Sequence, residues 1–207
     1  MKIAIFGASG TAGKHLVRKS LDAGHSVRAF GRSVNKLSPH ANLELIQGDI
    51  FNPSDVSKAI QGCDAVLSAL GGGTEADDRT RSNGIKMICD QMKKNNVRRI
   101  IAIGNSGVLN KNEEQLNMEA PEFDQRFLSV ANEHLRSFRE LEKSGLDFTF
   151  MCAPSLKDEE ASGQYIVRAD YAPVPNAAKI KLGDLAAFMV KEAQENKFVG
   201  KRVGISN

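Results

Sequence analysis

The chain has 207 residues, 41% of them hydrophobic and 26% charged, with a formal net charge of +3. That length buries a sizeable core, and the composition is ordinary for a globular domain. The Lys and Arg residues are scattered, so no basic tract marks a nucleic-acid partner, and no apolar stretch is long enough to span a membrane.

The three cysteines, Cys63, Cys89 and Cys152, form no C-x-x-C and no metal-like spacing with histidine. They predict reduced thiols, no metal site and a cytoplasmic setting. The first residues, KIAIFG, read as a strand and not as a secretory leader.

KIAIF (2–6) is the first predicted strand, and a helix over 11–23 follows, stopped at Ala23-Gly24. Between them lie Gly7, Gly10 and Gly13, spaced G-x-x-G-x-x-G. In a strand-to-helix turn, this spacing predicts a dinucleotide loop. Gly7 allows the tight turn, Gly10 lets backbone N–H groups approach a diphosphate, and Gly13 lets the helix pack close to the strand. Ser9, Thr11 and Ala12 stand among them and are assigned to the same ligand.

SVRAF (26–30) is the second strand, and its end chooses between NAD and NADP. An acid at this point would bind the ribose hydroxyls of NAD. FGRSVNK carries none; Arg32 and Lys36 stand one helical turn apart instead. They suit a 2′-phosphate, so NADPH is expected in preference to NADH.

LELI (43–46) leads into QGDIF, where Asp49 is expected to accept from the adenine amino group and Ile50 to cover the ring. A helix over 53–61 opens at Pro53-Ser54-Asp55. AVLSAL (65–70) ends in SALGGG, where Ala69, Leu70 and Gly71 either line the cofactor's middle or form a plain loop. A helix over 84–95 places Ile85, Ile88, Cys89 and Met92 on one stripe.

RIIAI (99–103) is followed by IGNSG, which puts Asn105 and Ser106 at a strand's carboxyl end, beside the nicotinamide. The polar loop 107–124 carries Leu109, Met118, Pro121 and Phe123 and reads as a lid over a flat ligand or as a surface loop. A helix over 125–143 sets Phe127, Ala131, Leu135, Phe138 and Leu141 on one face, with His134 between them. DFTFMC (147–152) runs into APSL, which brings Pro154, Ser155 and Leu156 to the nicotinamide. A second polar loop, 156–177, a helix over 183–194 and a strand, KRVGI (201–205), complete the chain.

This alternation predicts the α/β class: one Rossmann-like doubly wound domain over 1–207. About seven strands form a mostly parallel sheet with helices on both faces. Loops 107–124 and 156–177 lie at its carboxyl edge as substrate loops.

IFGASGTAG, the GDI after strand three, the SALGG after strand four and SGLDFTFMCAPSL together resemble the short-chain dehydrogenase/reductase superfamily, in its atypical NmrA-like branch. The resemblance covers essentially the whole chain. KIAIFGASGTAG, the Arg32 and Lys36 pair, EHLR…ELEKSGLDF and the SGQY of 162–165 are most similar to the flavin reductase / biliverdin-IXβ reductase group. That resemblance implies an NADPH-dependent oxidoreductase acting on a planar small molecule, a flavin, bilin or quinone. Such conjugated acceptors spread incoming charge and take their proton from solvent. It also implies a monomer or weak homodimer, with no nucleic-acid or membrane partner.

Ordinary members of the superfamily use a Tyr-x-x-x-Lys pair, with tyrosine donating a proton to a carbonyl. Tyr165 and Tyr171 are followed four positions on by Ala169 and Pro175, so neither makes the pair. Set beside related sequences, the tyrosine position falls at Val130 and the lysine position at His134. Ser106 matches the superfamily's active-site serine, and reads either as a ligand for a substrate oxygen or carboxamide or as a turn hydroxyl. His134 reads either as a core-edge histidine or as a residue that positions the nicotinamide ribose without moving a proton. The two are the catalytic candidates. Ser155 stands where the reductases typically carry histidine, which leaves the acceptor open. The alternative function is a non-catalytic NADP(H)-binding redox sensor of the NmrA-like kind. A nucleotide-sugar epimerase is set aside, because only ~60 residues follow position 146.

Overall fold

The computed structural model describes residues 1–73, 75, 77–174 and 178–207. In chain order the elements are β1 (Lys2–Phe6), α1 (Thr11–Asp22), β2 (Ser26–Gly31), β3 (Leu43–Gln47), α2 (Pro53–Ile60), β4 (Ala65–Ser68), α3 (Thr80–Lys94), β5 (Arg99–Asn105), α4 (Leu128–Ser144), β6 (Asp147–Ala153), β7 (Ser155–Lys157), β8 (Ile166–Ala169), β9 (Lys179–Lys181), α5 (Leu182–Glu195) and β10 (Lys201–Ser206). The main sheet has eight strands in the order β3-β2-β1-β4-β5-β6-β10-β8. Every pairing is parallel except that of β10 with β8.

The continuous apolar run of β1 follows from burial on both faces. Ala4 and Phe6 pack into the layer with the residues of α2, α3 and α4, whereas Ile3 and Ile5 face α1 and α5. All four are fully buried. The strand order reverses beside β1, which pairs with β2 on one side and β4 on the other. A crevice at the carboxyl ends of the strands is expected at such a switch point.

The Rossmann-like arrangement matches the sequence expectation, with three differences. The sheet has eight strands instead of about seven, because β8 lies inside the stretch expected to be the loop 156–177; positions 175–177 of that stretch lie outside the described residues. α3 starts at Thr80, four residues before the expected start at 84. Residues 125–127 form a 3-10 turn, so α4 starts at Leu128, and Phe127 is exposed and not on the packed face.

The loop 107–124 is held down and does not hang over the sheet edge. Leu109 and Met118 are buried. Arg202 donates to the Val108 carbonyl at 2.6 Å and to Asn110 Oδ1 at 2.8 Å, and Asn117 donates to the Ser106 carbonyl at 2.9 Å. No residue of this loop lines the cleft described below.

Polar groups on β5, β6 and α5 form a buried network in which only Arg99 Nε lacks a partner among the described residues. Arg99 and Glu192 make a buried ion pair at 2.7 Å, and Arg99 also donates to Thr149 Oγ1 and the Asp147 carbonyl, each at 2.8 Å. Glu192 in turn accepts from the Phe198 N–H at 2.8 Å.

Candidate cofactor cleft

The three glycines of the first turn have distinct physical reasons to be glycine. Gly7 has φ +74, a left-handed backbone, and a Cβ there would sit 2.4 Å from the Ala69 carbonyl oxygen. It therefore brings the end of β1 against the end of β4. A Cβ on Gly13 would sit 2.1 Å from the Gly7 carbonyl, so Gly13 is buried as the point where helix meets strand. Gly10 is the N-cap of α1; no side chain caps the helix and no acid lies in its first turn. The first N–H groups of a helix have no intrahelical acceptor, and the helix dipole makes this end positive. An uncapped end of this kind suits a phosphate group.

This helix end opens on a cleft of about 840 Å³ along the carboxyl edge of the sheet. Gly7, Ser9, Gly10, Thr11 and Ala12 line it from the first turn. Arg32 lines it from the end of β2, exposed and without an ion pair among the described residues. Lys36 ends a 3-10 turn over Val34–Lys36 and is also exposed, but it lies outside the lining.

Asp49 and Ile50 line the cleft after β3. Asp49 is fixed by local bonds: its N–H donates to Asp55 Oδ2 and its own Oδ1 accepts from the Phe51 N–H, both at 3.0 Å. Ala69, Leu70 and Gly71 line it after β4. α3 approaches them closely, since a Cβ on Gly84 would lie 2.7 Å from Leu70 and 3.2 Å from Ile50. Those two side chains make an apolar wall.

Asn105 lines the far end from β5, Pro154 from the link between β6 and β7, and Leu156 from β7. Leu156 is 43% exposed. His134 enters from α4. It is buried, its ring lies 6.4 Å from that of Phe150, and its Nδ1 is fully shielded and has no hydrogen-bond partner. Burial, and then the positive charge of Arg81, push its pKa from 6.5 to about 3. The imidazole is neutral across the ordinary pH range and donates one hydrogen bond at most.

The family model described as NAD(P)H-binding matches residues 7–196. The chain belongs to that family. Within it, the chain stands with the atypical short-chain dehydrogenases/reductases. A candidate NADH-flavin reductase from Streptococcus pneumoniae superposes with a TM-score of 0.84 at 26% identity, covering 99% of this chain and 98% of that one. A short-chain dehydrogenase/reductase from Veillonella parvula, solved with NADP, superposes with a TM-score of 0.79 at 19% identity, covering 100% of this chain and 94% of that one, a likeness of fold. Among curated relatives, a 3-beta-hydroxysteroid dehydrogenase from Mycolicibacterium neoaurum is 34% identical over 93 residues, 42% of this chain. The matched stretch is only 25% of that dehydrogenase's own length. The family and the fold support a nicotinamide cofactor and an oxidoreductase.

Several expected site residues of this family member stand away from the cleft. Ser106 starts a 3-10 turn over Ser106–Val108 and is not in the lining; its neighbour Asn105 uses its Oδ1 to accept from the Gly107 N–H at 2.7 Å. Ser155 opens β7, exposed and outside the lining, and its N–H donates to the Ala178 carbonyl at 3.2 Å. Gly13 is behind the surface that it shapes.

Other lining residues had no signal in the motifs. Phe30 and Phe51 flank the β2 and β3 ends, and Gly104 lines the floor where a Cβ would strike the Phe150 ring at 2.3 Å. Thr80 and Arg81 line it from the first turn of α3. The sequence stripe that begins at Ile85 hides that turn, because a helix mouth facing a ligand has no apolar period to betray it. The cysteines take no part: all three are buried, and burial pushes their thiols up, Cys89 to about 12. Among the described residues no His, Cys, Asp or Glu cluster could hold a metal, and no helix is long and apolar enough to cross a membrane.

Proposed function

We propose that this protein is a cytoplasmic NADPH-dependent reductase that passes hydride to a flavin-, bilin- or quinone-like acceptor without a Tyr-x-x-x-Lys pair. The observation that carries the reading is the uncapped α1 end opening on the same cleft as the unpaired cation Arg32. The bound cofactor would supply the hydride. The first turn of α1 would hold its diphosphate, and Arg32, with Lys36 just outside, would hold the 2′-phosphate. Ile50 and Leu70 would pack on the adenosine half, with Asp49 near the adenine amino group. His134, neutral and in the cleft lining, would orient the nicotinamide ribose and not move a proton. Leu156 offers an apolar, half-open wall to a flat ring. The likeness to a candidate NADH-flavin reductase over nearly its full length supports the acceptor class. On this reading the protein is a monomer or weak homodimer.

The test is oxidation of NADPH and NADH with a panel of flavins, bilins and quinones. Turnover with at least one acceptor and a preference for NADPH are expected; no turnover with any of them would end the reading.

A second reading rests on Val130 and His134 standing where the superfamily's pair would be. A chain that binds NADP(H) without that pair serves equally as a redox sensor. A partner pull-down with NADP+ or NADPH decides: capture that is indifferent to the nucleotide's oxidation state excludes sensing.

A further inference from the structure

Two cationic side chains line the cleft, Arg32 and Arg81, and one acid, Asp49. Arg32 and Asp49 share the end beside β2 and β3. Arg81 stands in the first turn of α3, which packs against α4, and its guanidinium bonds the carbonyls of Gly72 and Gly73 after β4. β2 and β4 are two strand spacings apart, ~10 Å, so the two arginines face different parts of any ligand.

Arg81 is held in place by neutral acceptors. Its guanidinium donates to the carbonyls of Gly72 and Gly73, each at 3.1 Å. These are neutral acceptors, and a guanidinium has five N–H donors. Asp78 is close enough to feel the Arg81 charge, but its carboxylate accepts from the backbone N–H groups of Gly73 and Thr80 and lies beyond ion-pair distance of Arg81. Behind this turn, Glu133 takes the Ser82 N–H and hydroxyl and faces away from the cleft lining. His134, across from Arg81, is uncharged. Among the described residues, the far end of the cleft therefore presents one positive group with free donors and no lining anion. The diphosphate of a dinucleotide has its own receptor in the α1 end, which leaves Arg81 without a cofactor charge to meet.

We propose that Arg81 binds an anionic group, a phosphate or carboxylate, carried by the acceptor. The acceptor class narrows from planar molecules to planar molecules with an acidic arm. The inference rests on the reductase reading above.

The experiment compares FMN with riboflavin, which shares the ring and lacks the phosphate, in the full chain and in Arg81→Gln. Glutamine keeps an N–H donor for the Gly72 and Gly73 carbonyls and removes the charge. The wild type is expected to favour FMN. Arg81→Gln should lower kcat/KM for FMN by about tenfold to a hundredfold, with riboflavin and the NADPH dissociation constant changed less than about twofold. Arg81→Lys should recover part of the loss. Equal losses for both flavins, or a loss confined to NADPH affinity, would overturn the inference while leaving the reductase reading intact. If the wild type turns over no acceptor, the reductase reading fails. Flavin fluorescence quenching on the NADP+-loaded protein then decides the role of Arg81: the inference stands if FMN binds more weakly to Arg81→Gln than to wild type, and falls if it does not.

Discussion

The carboxylate of Glu133 accepts from both the backbone N–H and the hydroxyl of Ser82, each at 2.8 Å. One helix thus caps the first turn of another: Glu133 sits on α4 and is 2% exposed, while Ser82 is the third residue of α3. The buried charge also meets Arg136 at 3.4 Å. Glu133→Ala should leave the buried Ser82 N–H unpaired and its hydroxyl with only the Arg79 carbonyl at 3.4 Å, and cost about 1–3 kcal/mol of unfolding free energy in urea. Ser82→Ala, which removes only one donor, should cost about 1 kcal/mol.

Arg32→Ala should weaken NADPH by about tenfold or more and leave NADH within about twofold, measured by cofactor titration. Lys36→Ala should have the smaller effect, since Lys36 is exposed and outside the cleft lining. Equal losses for both nucleotides would refute the 2′-phosphate assignment.

His134 links stability to pH. In the folded chain its imidazole stays neutral down to about 3, whereas unfolded it takes a proton near 6.5. Between those values the unfolded state binds more protons, so stability falls as pH falls from 6.5. His134→Leu should flatten that limb of the stability curve by up to about 1.4 kcal/mol per pH unit at the steepest. His134→Ala should raise the Michaelis constant for NADPH and keep most of kcat. A collapse of kcat at unchanged cofactor affinity would make the residue an acid catalyst instead.

Glu192→Ala leaves Arg99 buried without its counter-charge, and should destabilise the fold by about 3–5 kcal/mol in thermal or denaturant unfolding. Because this network is away from the cleft, cofactor affinity measured below the transition should stay within about twofold.

The backbone of the site was legible because its glycines answer to local geometry. Gly7, Gly10 and Gly13 announce a turn, a helix mouth and a close contact within seven positions, and the structure has all three. Arg32, Asp49 and Leu70 were legible because each follows a strand, and parallel strands deliver their ends to one edge. Ser106 and Ser155 are outside the lining for a related reason. They also follow strands, but the chain turns away at once, into a 3-10 turn and into β7. Periodicity says where a strand stops and nothing about which way the next residue points. Arg81 was invisible because its placement comes from the packing of α3 against α4, a contact between positions 51 residues apart at Ser82 and Glu133. β8 was missed because it is a four-residue edge strand in a polar stretch, and only its antiparallel partner β10 gives it an identity.

The fastening of loop 107–124 bears on how a molecule would reach the neighbouring cleft. Arg202 clamps its start through Val108 and Asn110, and Asn117 ties its middle to Ser106. The rim on the side of Leu156 is likewise anchored, by β7 pairing with β9 and by Asp184 taking the N–H groups of Ser162 and Gly163. Among the described residues, these two stretches are therefore fixed platforms beside the cleft, and neither has to be ordered when a molecule enters.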